Sequence, residues 1–265
     1  MELIVLGCSG SVAGPDSPAS GYFVRGSGQE SVLLDIGPGV LTAMQATEGI
    51  EPSECHVVFS HMHADHCLDF PSLLVWRRFH PTAAATRTHT LLGPAIAQQH
   101  LSMAGADYPD SPDDISDTFD VRVHEVGFGV FDANSWPFHT VGDFQVFAAP
   151  AVHTTEAYLT RIHDAQGKSF VYSGDTAATD TLAQFAQGAD LLLCEAGWGE
   201  TSEGKPTGMH MSGQEAGRAA AEAGVTTLVL THVPPWGDKD AALRGAQREF
   251  DGEIIVAHAG MVLNF

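Results

Sequence analysis

The chain has 265 residues, of which 44% are hydrophobic and 17% are charged, a composition that excludes intrinsically disordered and collagen-like proteins. Its length suits one globular domain, which we predict to cover residues 1–265. Lys and Arg total 12 against 33 Asp and Glu, and the net charge of −21 repels phosphates, so we expect no extended nucleic-acid surface.

Short segments rich in Val, Ile, Leu and Phe have the length and composition of β-strands. In chain order they are residues 3–7, 31–35, 55–60, 144–149, 168–173, 190–195, 225–231 and 253–257. Helical patterns lie between them at 40–48, 94–103, 181–187 and 212–223, and Ser212 and Glu215 have the spacing of a capping box. The alternation of strands and helices predicts an α/β fold.

The apolar segments are strand-sized, whereas a membrane-spanning helix needs about 18 residues. Residues 5–8 resemble a lipoprotein cleavage site, but the apolar stretch is too short and no basic segment precedes it, so we predict a strand that ends in a glycine turn. Cys8, Cys55, Cys67 and Cys194 have no repeating spacing, which is typical of reduced cysteines. We therefore expect a cytoplasmic protein without a membrane partner.

Three histidines and one aspartate lie within six residues, directly after the strand predicted at 55–60: His61, His63, Asp65 and His66. His61 and His63 are two positions apart and can face one cation, while Asp65 and His66 can face a second cation beside it. Imidazole and carboxylate ligands favour Zn²⁺, with Mn²⁺ and Fe²⁺ as alternatives. The competing interpretation is a group of surface histidines.

The pattern His-x-His-x-Asp-His after a strand resembles the signature of the metallo-β-lactamase superfamily, and the resemblance extends over nearly the whole chain. It implies a four-layer αββα sandwich with two divalent metal ions. The implied ligands are His61, His63 and His153 for one ion, Asp65, His66 and His232 for the other, and Asp175 as a bridge. Asp35 resembles the family's early aspartate, which supports the ligand loop by hydrogen bonds.

Residues 209–213 resemble the ribonuclease Z-like phosphodiesterase branch of this superfamily. The resemblance implies that His210 lies near the scissile phosphate and stabilises charge or protonates the leaving oxygen, with a helix-entry role as the alternative. Residues 194–196 resemble the branch's Glu-Ala segment, which we expect to be structural. Cys194 lies within an apolar strand, and we expect it in the core instead of at the metal site.

The segment between His153 and Asp175 bears on the substrate. Members that process transfer RNA carry a long basic arm there, whereas Asp175 follows His153 by only 22 positions, which two strand-like segments and a turn at 164–168 fill. Residues 7–11, 76–78 and 231–236 resemble armless bacterial cyclic-nucleotide phosphodiesterases. The resemblance implies two-metal hydrolysis of a small phosphodiester such as 3′,5′-cyclic AMP, with Asp65 also orienting the nucleophile.

Three alternatives remain open: a transfer-RNA-processing ribonuclease Z, a thioester or lactam hydrolase, and a metal-binding protein with a degenerate site. A homodimer is also left open.

Arg77 and Arg78 either contact phosphate or form an exposed pair on a helix. The histidines that match no motif are His56, His80, His89, His100, His124, His139, His163 and His258, and we assign no site role to them.

Overall fold

The computed structural model describes residues 1–28 and 30–265, and within these ranges the strands form two seven-stranded sheets. The strands are β1 Glu2–Gly7, β2 Gly21–Arg25, β3 Ser31–Leu34, β4 His56–Val58, β5 His89–Gly93, β6 Phe119–Val123, β7 His139–Val141, β8 Phe144–Pro150, β9 Tyr158–His163, β10 Ser169–Tyr172, β11 Leu191–Glu195, β12 Thr227–Thr231, β13 Glu253–Val256 and β14 Val262–Asn264. The helices are α1 Val40–Ala46, α2 Ala64–Cys67, α3 Phe70–Phe79, α4 Ala97–Ala104, α5 Asp180–Ala186, α6 Gly213–Ala223 and α7 Lys239–Gln247. The first sheet has the order β14-β1-β2-β3-β4-β5-β6, and the second has the order β13-β12-β11-β10-β9-β8-β7.

The side-chain alternation of the strands divides the core into layers. In β1, Leu3 and Val5 pack between the two sheets, while Ile4 and Leu6 pack on the outer face of the first sheet. Successive side chains of a strand point to opposite faces, so a strand that is covered on both sides is apolar at nearly every position. This explains why the predicted strands read as continuous apolar runs.

Helices cover the outer face of each sheet. Val40 of α1, Leu73 of α3 and Leu101 of α4 belong to the apolar cluster outside the first sheet. Phe185 of α5 and Ala220 of α6 belong to the cluster outside the second sheet. The layers therefore run helix, sheet, sheet, helix, and the predicted αββα sandwich is confirmed.

The predicted strands and helices are all present, with ends shifted by a few residues. The capping box of α6 is confirmed, since the Ser212 hydroxyl accepts from the Glu215 amide at 3.4 Å and the Glu215 carboxylate accepts from the Ser212 amide at 2.8 Å. The sequence interpretation missed β2, β5, β6, β7, β14, α2, α3 and α7. No helix in residues 1–28 and 30–265 is long and apolar enough to cross a membrane.

Parallel pairing brings several strand ends to one edge of the sandwich. Strand β3 pairs in parallel with β4, and β11 pairs in parallel with both β10 and β12. The carboxyl ends of parallel strands meet at the same edge, which is where ligands bind in open α/β sheets. The residues that directly follow these strands are therefore close in space, although they are far apart in the sequence.

Candidate metal centre

The loop between β4 and the end of α2 carries four of the predicted ligands. His63 occupies the N-cap of α2, and Asp65 and His66 lie within this one-turn helix. His61 and His66 are fully buried, and their ring centroids are 4.1 Å apart. The short helix therefore keeps side chains that are close in the sequence close in space.

His153 brings a second segment to this loop, because it follows β8 at the same edge. Its Nδ1 donates a hydrogen bond to the backbone oxygen of Met209 at 2.7 Å, and its Nε2 lies 3.1 Å from Nδ1 of His63. A ligand histidine whose second nitrogen bonds to a carbonyl has a fixed ring orientation and tautomer. One ligand atom each of His61, His63, His153 and Asp175 lies within 4.8 Å of all the others, and we call these residues the first donor set.

The second donor set consists of Asp65, His66, Asp175 and His232, which meet the same distance limit. Nε2 of His232 lies 3.1 Å from Oδ2 of Asp65 and 3.3 Å from Nε2 of His66. His232 directly follows β12, and its backbone φ of +57° is unusual for a residue with a side chain. All four residues of this set are buried.

Asp175 belongs to both donor sets, and each of its oxygens faces one of them. Oδ1 lies 3.2 Å from Nε2 of His66 and 3.2 Å from Nε2 of His232. Oδ2 lies 3.7 Å from Nε2 of His61 and 3.8 Å from Nε2 of His153. This is the placement that the predicted bridging role requires.

The donor chemistry of the cluster fits divalent cations. Nε2 of His61 and Oδ1 of Asp175 are buried and lack a hydrogen-bond partner of acceptable geometry among the described residues. Burial lowers the pKa of His61, His63 and His153, so these imidazoles are neutral at pH 7, the form that binds a metal. Burial of Asp175 raises its pKa, but His232, His66 and His61 outweigh this and hold its pKa well below the ordinary value.

Comparisons with known proteins identify the family. A profile of the β-lactamase superfamily domain matches residues 30–233, a range that contains both donor sets. The chain belongs to the metallo-β-lactamase superfamily. The chain is therefore a metallo-hydrolase of this superfamily.

Three relatives illustrate the match. An uncharacterized protein of Mycobacterium leprae is 45% identical over 98% of this chain and 87% of its own length. The probable metallo-hydrolase YhfI of Bacillus subtilis is 30% identical over 99% of both chains, and its crystal structure superposes with a TM-score of 0.81 over 99% of this chain and 98% of that one. A ribonuclease Z of Haloarcula marismortui is 27% identical over 98% of this chain and 96% of its own length.

In this metallo-β-lactamase superfamily member, Asp35 supports the ligand loop as predicted. Its Oδ1 accepts from the Ser60 amide at 2.8 Å, and its Oδ2 accepts from Nδ1 of His66 at 2.7 Å. Oδ2 also accepts from the hydroxyls of Ser60 at 2.7 Å and Tyr172 at 2.9 Å. Burial by itself lowers the pKa of His66, but Asp175 and Asp35 outweigh it and raise this pKa well above the ordinary value. The carboxylates of Asp35 and Asp175 therefore stabilise a positive charge at His66.

Glu195 lies in the segment that we expected to be structural, and its carboxylate also contacts His210. The carboxylate is fully buried, and its Oε1 accepts from Nδ1 of His210 at 3.2 Å and from the Thr176 amide at 2.6 Å. Burial alone lowers the pKa of His210, but the hydrogen bond and the charge of Glu195 raise it to about 9. The available signal was the position of Glu195 at the carboxyl end of β11, between the strands that end near Asp175 and His232.

His210 lies beside the donor sets, with its Nδ1 3.7 Å from Oδ2 of Asp175. Glu195, His210 and His232 also place ligand atoms within 4.8 Å of one another. This group is not a third metal site, because His232 already belongs to the second donor set and the Glu195 carboxylate also accepts from three backbone amides, those of Thr176, Gly197 and Met211. His210 therefore lies at the margin of the two donor sets and is partly exposed.

The two arginines that we considered for phosphate contact do not serve that purpose. Arg77 is buried, and its guanidinium donates to the Ser53 backbone oxygen at 2.8 Å and contacts Nδ1 of His89 at 2.7 Å. Arg78 forms ion pairs with Asp113 at 2.6 Å and Asp117 at 2.8 Å. Both interpretations of this pair were wrong, because the chain's own carbonyls and carboxylates already occupy the two side chains.

Cys194 lies in the core, as predicted. Cys194 is fully buried in the core of the second sheet, and burial raises the pKa of its thiol well above the ordinary value. Among the described residues, no unassigned histidine belongs to a group that could hold a metal. These histidines are His56, His80, His89, His100, His124, His139, His163 and His258.

Proposed function

We propose that this chain is a phosphodiesterase that uses two divalent metal ions and hydrolyses a small phosphodiester, with 3′,5′-cyclic AMP as the representative substrate. The observation that carries the proposal is His210, which bonds to the buried Glu195 and lies beside the shared carboxylate Asp175. Two-metal hydrolysis of a phosphodiester needs a pair of adjacent cation sites and a proton donor for the departing oxygen. These residues can supply both.

The two donor sets divide the cations between them. His61, His63 and His153 would hold one ion, Asp65, His66 and His232 would hold the other, and Asp175 would bind both. Zn²⁺ suits this mixture of imidazole and carboxylate ligands, with Mn²⁺ and Fe²⁺ as alternatives. When bound, such ions supply Lewis acidity and lower the pKa of water towards 7.

The protein's own residues would orient the attacking water and transfer a proton to the leaving oxygen. Asp65 orients the attacking water, which loses one proton to solvent as its oxygen adds to phosphorus and one P–O ester bond breaks. His210 uses Nδ1 to bond to Glu195, so its Nε2 is the atom that can pass a proton to the leaving oxygen. The products are a phosphate monoester and the released hydroxyl, which in a cyclic nucleotide remain on one molecule.

Two features favour a small substrate over transfer RNA. Between His153 and Asp175 the chain contains only β9, β10 and their connecting segments, which leaves no insertion that could serve as a binding arm. The net charge of −21 opposes an extended contact with a polynucleotide. The similarity to a ribonuclease Z supports phosphodiester chemistry in this branch of the superfamily. Because this chain lacks the arm, we assign it to the members that act on small phosphodiesters.

The four cysteines are free and buried, which supports a reducing cytoplasm as the location.

The test is a substrate panel with protein loaded with Zn²⁺ or Mn²⁺. Cyclic AMP and bis(p-nitrophenyl) phosphate should be cleaved, whereas precursor transfer RNA, a thioester and a β-lactam should not. Products are separated by chromatography, and the metal-free protein is the blank. Efficient transfer-RNA cleavage without turnover of cyclic AMP contradicts the proposal, and so does preferential hydrolysis of the thioester or the lactam.

A further inference from the structure

A cavity of about 310 Å³ adjoins the metal centre, and His210 and His232 form part of its wall. Trp198 and Trp236 also line it, together with Lys205. Trp236 is 72% exposed, which is unusual for so large an apolar side chain. An exposed aromatic residue in the wall of a cavity next to a reaction centre is typical of a ligand-binding surface.

Trp198 joins this cavity directly to the proposed proton donor. Its ring lies edge-on to the ring of His210, with centroids 4.9 Å apart and an interplanar angle of 87°. Its Nε1 is buried and has no hydrogen-bond partner among the described residues. A buried N–H without a partner destabilises the protein unless a ligand or solvent accepts from it.

Lys205 supplies the positive charge of the cavity. Its Nζ lies 5.7 Å from the centroid of Trp198, within the range of a cation–π contact, and it is the one lysine or arginine among the described lining residues. The acidic lining residues are already engaged: Glu200 forms ion pairs with Arg244 and Arg248, and Asp238 caps α7 by accepting from the Ala241 amide. The Lys205 ammonium is therefore available to an anionic ligand.

We infer that this cavity binds the aromatic base of a nucleotide substrate, with Trp236 and Trp198 as contact surfaces and Lys205 as a partner for its phosphate. The inference rests on the proposed phosphodiesterase function and assigns the substrate class as nucleotides, in preference to phosphodiesters that lack a base. Indole rings stack on any nucleobase, and one such contact contributes a binding effect of about 10-fold or more. A ligand placed here has its phosphate within reach of His210.

The experiment compares two phosphodiesters on the metal-loaded protein. Cyclic AMP carries a base, whereas methyl ribofuranoside 3′,5′-cyclic phosphate has the same cyclic phosphodiester without a base or any other aromatic ring. Trp236→Leu is the principal variant because the exposed side chain contributes little to folding, and Lys205→Gln is the second. Phe128→Leu, at a side chain that is 75% exposed and outside the cavity lining, is the matched control for loss of an exposed aromatic ring. A separate calorimetric titration with adenosine 5′-monophosphate measures binding without turnover.

We expect Trp236→Leu to raise KM for cyclic AMP and Kd for adenosine 5′-monophosphate by about 10-fold. The kcat/KM for methyl ribofuranoside 3′,5′-cyclic phosphate should be unchanged, and Phe128→Leu should match the wild type in every assay. Lys205→Gln should weaken nucleotide binding in the same direction by a smaller factor.

Equal losses on both substrates, or no loss in Trp236→Leu, overturn the base-binding inference while the phosphodiesterase proposal stands. If the wild type cleaves neither phosphodiester, the proposed function fails, and the calorimetric titration decides the inference. Nucleotide binding that weakens in Trp236→Leu then supports the base site. Absent binding, or the same Kd in both proteins, removes it.

Discussion

The two donor sets share Asp175 but differ in how the fold supports them. In the second set Asp65, His66 and His232 are all buried, and Oδ2 of Asp35 accepts a 2.7 Å hydrogen bond from Nδ1 of His66. In the first set His63 is only partly buried, and His153 depends on one hydrogen bond to the Met209 carbonyl. The second set is therefore part of the packed interior, whereas the first set extends from the interior to the rim through His63. Three substitutions at the centre and one in the surrounding fold test how the protein depends on these contacts.

The largest effect should follow from Asp175→Ala, because it removes the one carboxylate that both sets use. We expect hydrolysis to fall by more than about 10³-fold, beyond the loss typical of a single transition-state contact. Elemental analysis should show fewer metal ions per chain than the two expected for the wild type. Asp180→Ala, at an exposed carboxylate near the start of α5, is the control and should retain both ions. Full metal content and activity in Asp175→Ala would refute the bridging role.

His210→Ala should cost less, since it removes the proton donor and leaves both donor sets intact. We expect kcat to fall by roughly 10²–10³-fold, while the metal content stays at the wild-type value. His258→Ala, at an exposed histidine in the loop before β14, is the matched control. An unchanged kcat on every cleaved phosphodiester would reduce His210 to a structural residue at the entry of α6.

Asp35→Asn tests the support of the second set alone. Asparagine tolerates the φ of +57° at this position, so the substitution removes the charge without changing the backbone conformation. We expect metal affinity to weaken by about 10- to 100-fold, the usual effect of losing a group that orients a ligand. Competition with a chelating dye measures this affinity, and Asp110→Asn in an exposed loop provides the comparison. Equal affinities in the two variants would show that His66 does not need this partner.

The smallest effect is expected for His124, which lies outside both donor sets. His124 is buried, its Nε2 donates to the Phe59 backbone oxygen at 2.9 Å, and burial lowers its pKa to about 4. An unfolded histidine has a pKa near 6.5, so between these values the unfolded state binds a proton that the folded state excludes, and stability falls as the pH drops. In metal-free protein, His124→Gln should reduce the loss of unfolding free energy between pH 7 and pH 5 by about 1–2 kcal/mol.

The control for this last prediction is His258→Gln, whose exposed side chain should leave the pH dependence unchanged. Chemical denaturation at the two pH values gives the free energies. If His124→Gln and the wild type lose the same stability on acidification, the buried imidazole does not contribute to the pH dependence.

The predictable part of this molecule is what depends on local pattern. Buried strands such as β11 and β12 are continuous apolar segments, and the polar residues that directly follow strands, such as Asp175 and His232, could be placed at one edge from their order alone. Strand β7 has only three residues, one of them exposed, and β14 has two exposed positions, so neither has the apolar pattern of a covered strand.

The unpredicted contacts depend on tertiary geometry. The pattern of α3 gives no means of distinguishing Arg77 from Arg78, yet Arg77 is buried among backbone oxygens and Arg78 reaches the acidic segment before β6. Glu195 pairs with His210 across 15 positions, and this contact exists only because the loop before α6 folds back over the end of β11. The local sequence pattern does not reveal this contact between the loop and the strand.

The shared carboxylate also makes the two ion-binding equilibria thermodynamically linked. One oxygen of Asp175 faces each donor set, so an ion in one set fixes the orientation of the group that the other set needs and withdraws part of its negative charge. These two consequences act in opposite directions, the first favouring and the second opposing uptake of the next ion. Their balance is a single coupling free energy, and it must be the same whichever set is filled first.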